Sequence, residues 1–174
     1  MQVAVLTEAN ASQYRSLMLH AYEHAPDAFT STPEDRATQP LGWWLKRIAD
    51  PAGMTAAFGA FEEGELVGSV ALEFSSKPKT QHSALLIGMY VLPRCRGKGA
   101  ARALLQAAID YCNTRGNIRT MKLTVTQGNE AAIGLYRTGG FEVFGTEPMA
   151  ILTPSGFKAK LHMWRHCPSG NTAA

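Results

Sequence analysis

The residues best placed to do chemistry sit in one short run, Arg96-Gly97-Lys98-Gly99-Ala100-Ala101. The apolar stretch before it stops at Pro93, and a long helical pattern begins at Gly99. A helix N-terminus carries N–H groups without partners and the positive end of the helix dipole. Glycines let several of those groups converge on one ligand without a Cβ in the way. The run is therefore an anion site, and pyrophosphate is an anion that needs several donors at once. Two phosphate fingerprints fail here. The chain has no G-x-x-x-x-G-K-[ST] sequence. The dinucleotide pattern G-x-G-x-x-G starts at Gly97 and Gly99 but meets Arg102 at its third glycine, and the next strand ends in Thr126-Gln127 instead of an acid.

A third pattern, [RQ]-x-x-G-x-[GA], binds acetyl-coenzyme A, and Arg96, Gly99 and Ala101 meet it. The longer run from Gly88-Met89-Tyr90-Val91-Leu92-Pro93 to Leu104-Leu105 resembles the central motif of the GNAT acetyltransferase superfamily. A second segment, Gly128-Asn129 to Gly140-Phe141, is similar to that superfamily's later motif, N-x-x-A-x-x-L-Y-x-x-x-G-F. One helix and one strand separate the two, as the superfamily requires. The resemblance spans about residues 3–165.

The resemblance implies roles for particular residues. The backbone of Arg96, Gly97, Lys98, Gly99, Ala100 and Ala101 would wrap the pyrophosphate. Met89, Tyr90 and Val91 would splay from the strand Met121–Thr126 and pair with the amide-bearing pantetheine arm. Gly88 would mark a bulge. Asn129 would hydrogen-bond the same arm. Tyr136 would protonate the departing thiolate, a step in which general acid help is worth ~10²–10⁴ in rate. The expected activity is transfer of an acetyl group to a primary amine by direct attack in a ternary complex. The acceptor is a small molecule or a peptide. Protein N-termini or lysines, or a non-catalytic acyl-coenzyme A binding module, are the alternatives. The strand His82–Leu92 carries no acid, a departure from patterns with a glutamate there. Glu73 is the candidate base, with His82 second. Homodimers are common in this superfamily and are compatible with this chain.

The elements that must position these groups follow from periodicity. Residues 3–6 read as a strand, and Ser12–His24 as a helix with Tyr14, Leu17, Met18 and Ala21 on one face. Pro26–Pro40 reads as a loop with room for a helical turn at Pro33-Glu34-Asp35, and Leu41–Ala49 as a short helix. Asp27, Glu34 and Asp35 in that region would suit a cationic amine, while Trp43 and Trp44 read as core or lid. Three strands follow at 54–61, 66–74 and 82–92, then a helix at 99–115, a strand at 121–126, a helix at 129–138 and strands at 141–146 and 157–165. The order β-α-α-β-β-β-α-β-α-β-β is a mixed α/β sheet with helices on both faces. Residues 1–165 are expected to form one domain, and 166–174 a disordered tail.

Composition sets the outer bounds. The chain has 174 residues, 45% apolar and 18% charged, with a formal charge of +3. That charge is too mild and too scattered to indicate a nucleic-acid partner. No window of about 18 apolar residues is available for a membrane span, and Met1–Asn10 lacks the pattern of a signal peptide. Cys95, Cys112 and Cys167 lack disulfide or zinc spacing and read as free thiols of a cytoplasmic protein. His20, His24, His162 and His166 lack ligand spacing, so no metal is expected.

Overall fold

The computed structural model describes residues 1–168. The strands are β1 (Gln2–Val5), β2 (Thr55–Glu62), β3 (Glu65–Phe74), β4 (Ser83–Val91), β5 (Thr120–Thr126), β6 (Glu142–Thr153) and β7 (Gly156–His166). The helices are α1 (Ala11–His24), α2 (Pro33–Ala37), α3 (Leu41–Ile48), α4 (Ala100–Thr114) and α5 (Glu130–Thr138). One seven-stranded sheet runs in the order β1-β2-β3-β4-β5-β7-β6. All its pairings are antiparallel except β4 with β5.

The helices form where apolar residues recur at three-to-four spacing. Helix α1 buries Tyr14, Leu17, Met18, Ala21 and Tyr22, and α3 adds Trp44 and Ile48. These cover one face of the sheet around Ala57, Leu66, Ala71 and Tyr90. Helix α4 buries Leu104, Leu105, Ala108, Ile109 and Cys112 on the opposite face, against Val67, Val70, Leu72 and Leu86. Strand β3 is sandwiched between the two cores, which explains its unbroken buried run.

Three boundaries differ from the sequence reading. Helix α2 is a true helix, because Thr32 and Asp35 close a capping box around Pro33 at the first position. Strand β6 continues past Thr146 to Thr153. Pro148 and Met149, the latter at φ 50°, lie where its register shifts between Glu147 and Ile151, and pairing with β7 then resumes. Strand β7 runs to His166, and Cys167 is buried with its N–H bonded to Arg119, so the folded body extends past 165. The rest of the expected tail, 169–174, lies outside the described residues.

Leu104 is fully buried and anchors the first turns of α4 under the anion-binding turn. Leu104→Ala should lower unfolding free energy by about 2–5 kcal/mol, the range for large-to-alanine core changes; urea titration followed by circular dichroism measures this.

Candidate active site

Strands β4 and β5 pair at three positions only: Ser83 with Thr120, Ala84 with Met121 and Leu85 with Lys122. Beyond Leu85 the ladder ends and the two strands diverge. On its other side β4 stays paired to β3, with a register shift opposite Val70. Gly88 sits at that irregularity with φ 62°, a conformation that costs glycine little. The open edge of β4 from Met89 to Val91 thus faces a gap inside the protein.

A single cavity of about 1060 Å³ fills this gap. Small-molecule sites commonly span roughly 300–1,000 Å³, so this one suits a long ligand. Its walls include Met89, Tyr90 and Val91 from β4, then Arg96, Gly97, Gly99, Ala100 and Ala101, then Asn129 at the start of α5. The fold therefore gathers these motif residues around one space. Lys98 is the exception within the turn. Its ammonium pairs with Glu62 at 3.2 Å, and the side chain does not line the cavity. Arg102 does line it, a cation that the motif left unmarked.

The turn has the features of an anion cradle. Gly97 and Gly99 adopt φ 75° and 84°, and no protein atom lies within 4 Å of a Cβ built on either. Among the described residues, the N–H groups of Gly97 to Ala101 reach no backbone acceptor. Arg96 donates through Nε to the Val91 carbonyl at 3.0 Å, and its guanidinium lies 5.6 Å from the Tyr90 ring centroid. Cys95 is buried and hydrogen-bonds Glu62 at 3.3 Å, and burial pushes its thiol up. It is a packing group, held away from the cavity.

Asn129 caps α5, its Oδ1 accepting from the Ala132 N–H at 3.3 Å. The carboxamide nitrogen is left to donate elsewhere. Tyr136 is buried and packs edge-on against Phe141, with ring centroids 6.0 Å apart. Leu135 and Ala132 of the same helix line the cavity, and Tyr136 does not. Burial raises its phenol above the ordinary range, so it stays protonated at neutral pH.

Glu73 stands near the end of β3, as the sequence reading has it. It pairs with Leu85, the last residue of β4 in register with β5, so it stands where the gap closes. Met89 is four residues further along, about 13 Å at ~3.3 Å per residue. Glu73 and His82 instead share a smaller hollow with Lys122. Asp27 and Asp35 are also engaged. Asp35 caps α2, and Asp27 binds Lys158 at 2.7 Å, which with the Ser155 hydroxyl holds its carboxyl below the usual range. The Asp27 carbonyl accepts from Thr126 Oγ1 at 2.6 Å, and Lys160 donates to Thr30 at 2.6 Å. These bonds strap the loop after α1 across to β5 and the β6–β7 hairpin, at the cavity's edge. Sequence spacing held no sign of the strap, because its partners lie 99 to 131 residues apart.

The space over Gly99 leaves room for a side chain, but at φ 84° any side chain strains the turn, so Gly99→Ala is the control for that strain. Gly99→Glu should lower acetyl-coenzyme A affinity, measured by calorimetry, at least about a hundredfold further than Gly99→Ala, since each 1.4 kcal/mol of added repulsion costs tenfold. Unchanged affinity would remove the turn from the binding site.

The comparisons with known proteins agree with this geometry. The chain is 28% identical over 152 residues to the L-amino acid N-acetyltransferase AaaT of Escherichia coli (strain K12), covering 84% of this chain and 87% of that one. It is 42% identical over 60 residues to an L-methionine sulfoximine/L-methionine sulfone acetyltransferase of Pseudomonas aeruginosa, a match over 34% of each chain. In fold it is similar to yncA, described as a putative acetyltransferase from Salmonella typhimurium with its cofactor acetyl-CoA, at a TM-score of 0.83, 21% identity, and 100% and 98% coverage. An acetyltransferase of the GNAT family from Streptococcus pneumoniae gives 0.83 at 21% identity, over 96% and 100% of the two chains. The sequence model of the acetyltransferase (GNAT) family matches residues 16–141, and this chain belongs to that family.

Proposed function

We propose that the chain transfers the acetyl group of acetyl-coenzyme A to the primary amine of a small molecule, by direct attack with both substrates bound. The observation that carries this is one cavity joining the anion cradle at Gly97–Ala101, the open edge of β4 and the strap at Pro26–Phe29. The cradle suits the pyrophosphate. The unpaired edge at Met89–Val91 suits a ligand with amides of its own, added like a strand. The strap bounds the cavity beside the β6–β7 turn, which favours a compact acceptor over a peptide chain. The relatives named for free amino acids support the same reading.

The amine nitrogen forms its bond to the thioester carbon as the carbon–sulfur bond breaks. The amine gives up its proton, and the departing thiolate takes one. Tyr136 supplies the second proton in this reading, since its buried phenol holds it at neutral pH. Glu73, on β3 opposite Leu85, stands too far from Met89 to take the first proton directly in this reading, so that proton leaves through water in the cavity. Cys95 takes no part. A homodimer would cover the exposed Phe144, Met149, Leu152 and Phe157 of β6 and β7; sedimentation equilibrium tests that assembly.

Free thiol release from acetyl-coenzyme A with an amine panel tests the activity, and an absence of release with every amine would overturn it. Tyr136→Phe should lower kcat by about 10²–10⁴ with little change in KM. Glu73→Gln should leave kcat within about threefold, and a fall of 10²-fold or more would restore Glu73 as the base.

A further inference from the structure

Acetyl transfer to an amine needs a group that can take a proton, and the cavity walls offer few. Among the described residues that line the cavity, those that titrate are His24, Asp27, Tyr90, Arg96, Arg102 and Lys158. The arginines and the lysine are cations and only donate. Burial lifts the Tyr90 phenol above its ordinary range, so at neutral pH it keeps its proton. Lys158 binds the Asp27 carboxylate at 2.7 Å, which holds it below the usual range and ties it into the strap. His24 is what remains. Its side chain is half exposed, and it is the last residue of α1, just before the strap at Pro26–Phe29.

The neighbours of His24 fix which of its nitrogens is free. Nδ1 lies 3.0 Å from the main-chain carbonyl of His20, one turn back along α1. A carbonyl only accepts, so Nδ1 carries the hydrogen, and in the neutral ring Nε2 carries the lone pair. The ring is also held in place. It stacks on the His20 ring with centroids 3.9 Å apart and planes 9° from parallel. His20 is joined in turn through its Nδ1 to the Tyr90 hydroxyl at 3.0 Å, and Tyr90 follows Met89 on the open edge of β4. This line of contacts seats His24 on the same wall as that edge. Burial, together with His24, Arg94 and Arg96, holds the His20 imidazole below its ordinary range against the pull of Glu23. A neutral ring therefore faces His24, and Glu23 Oε2 stands 3.8 Å from its Nδ1, so the nearest full charge is an anion.

We propose that His24 Nε2 accepts, through cavity water, the proton that the acceptor amine gives up. The inference rests on the acetyl transfer proposed above and assigns the proton acceptor of that step. The amine nitrogen bonds to the thioester carbon and keeps the electrons of the N–H bond it loses. The proton crosses water to Nε2, whose lone pair forms the new N–H bond. The electrons of the carbon–sulfur bond leave with sulfur, which takes the proton of Tyr136. His24 is then a cation and Tyr136 an anion, and one proton passing from the first to the second through solvent restores both. A tautomer fixed by a backbone carbonyl is what a proton acceptor needs, because the free nitrogen is then the one with the lone pair.

The test uses the full chain, acetyl-coenzyme A and the primary amine of a panel that turns over fastest, and it measures the acetylated amine. His24→Ala should lower kcat by about 10²–10⁴, the range for loss of a general base, with KM for acetyl-coenzyme A within about threefold. Added imidazole should raise the kcat of His24→Ala at least about tenfold, since a small base can enter the space left, and should not accelerate the wild type. His24→Gln keeps a donor for the His20 carbonyl and should be as slow as His24→Ala, which separates loss of the base from loss of a helix cap. A role in closing α1 alone would lower stability and give no rescue. Either variant within about threefold of the wild-type kcat would overturn the proposal. So would a slow His24→Ala that imidazole does not accelerate, or loss of acetyl-coenzyme A binding by calorimetry in both variants. The two readings fail separately. If the wild type acetylates no amine, the transferase reading falls and His24 with it; if the wild type turns over and the variants keep pace, only the assignment of His24 is wrong.

Discussion

The divergence of β4 from β5 is the constraint on which the rest of this molecule depends. Three parallel pairs join them, and then the ladder stops. An unpaired strand edge inside a protein is costly unless something supplies its hydrogen bonds. Here the cost is tolerated because each strand is held from its other side, β4 by β3 and β5 by β7. The result is a rigid gap with strand hydrogen-bonding groups on one wall. Such a gap can take up an amide-bearing ligand without rearrangement, which keeps the entropy cost of binding low.

The sheet also separates two electrostatic tasks. At the mouth of the gap, the glycine turn and the start of α4 offer free N–H groups to an anion. The salt bridge of Lys98 with Glu62 ties that turn to the end of β2. Beneath α1 and α3, Arg36 and Arg47 crowd one indole. Gly88, at positive φ, sits where the register of β4 shifts against β3.

The strap at Pro26–Phe29 joins these halves across the edge of the cavity. It is held by ionic and hydroxyl contacts to β5 and the β6–β7 hairpin, and by Phe29, which packs edge-on against Tyr22 and Tyr90. Its one acid, Asp27, serves that attachment by pairing with Lys158.

Local rules were enough to read most of this from the sequence. The turn needs glycine at positive φ, α4 needs its apolar stripe, Asn129 caps α5, and each demand falls on neighbours in the chain. The order of elements, the anion site and the bulge at Gly88 followed from them. The continuation of β6 past Pro148 did not, because pairing with β7 overrides a local break. Nor did the distance between Glu73 and the open edge of β4. It depends on the register of three strands and on where β4 and β5 part, and a residue's place along its own strand does not reveal either. The cluster around Arg47 lay equally hidden. Arg36 of α2 and Arg47 of α3 come from separate helices, and only the packing of those helices brings both guanidiniums to the Trp43 ring. The sequence alone therefore determined the fold and the anion cradle. Tertiary structure decided which side chains face the reaction, because facing is a property of how elements pack.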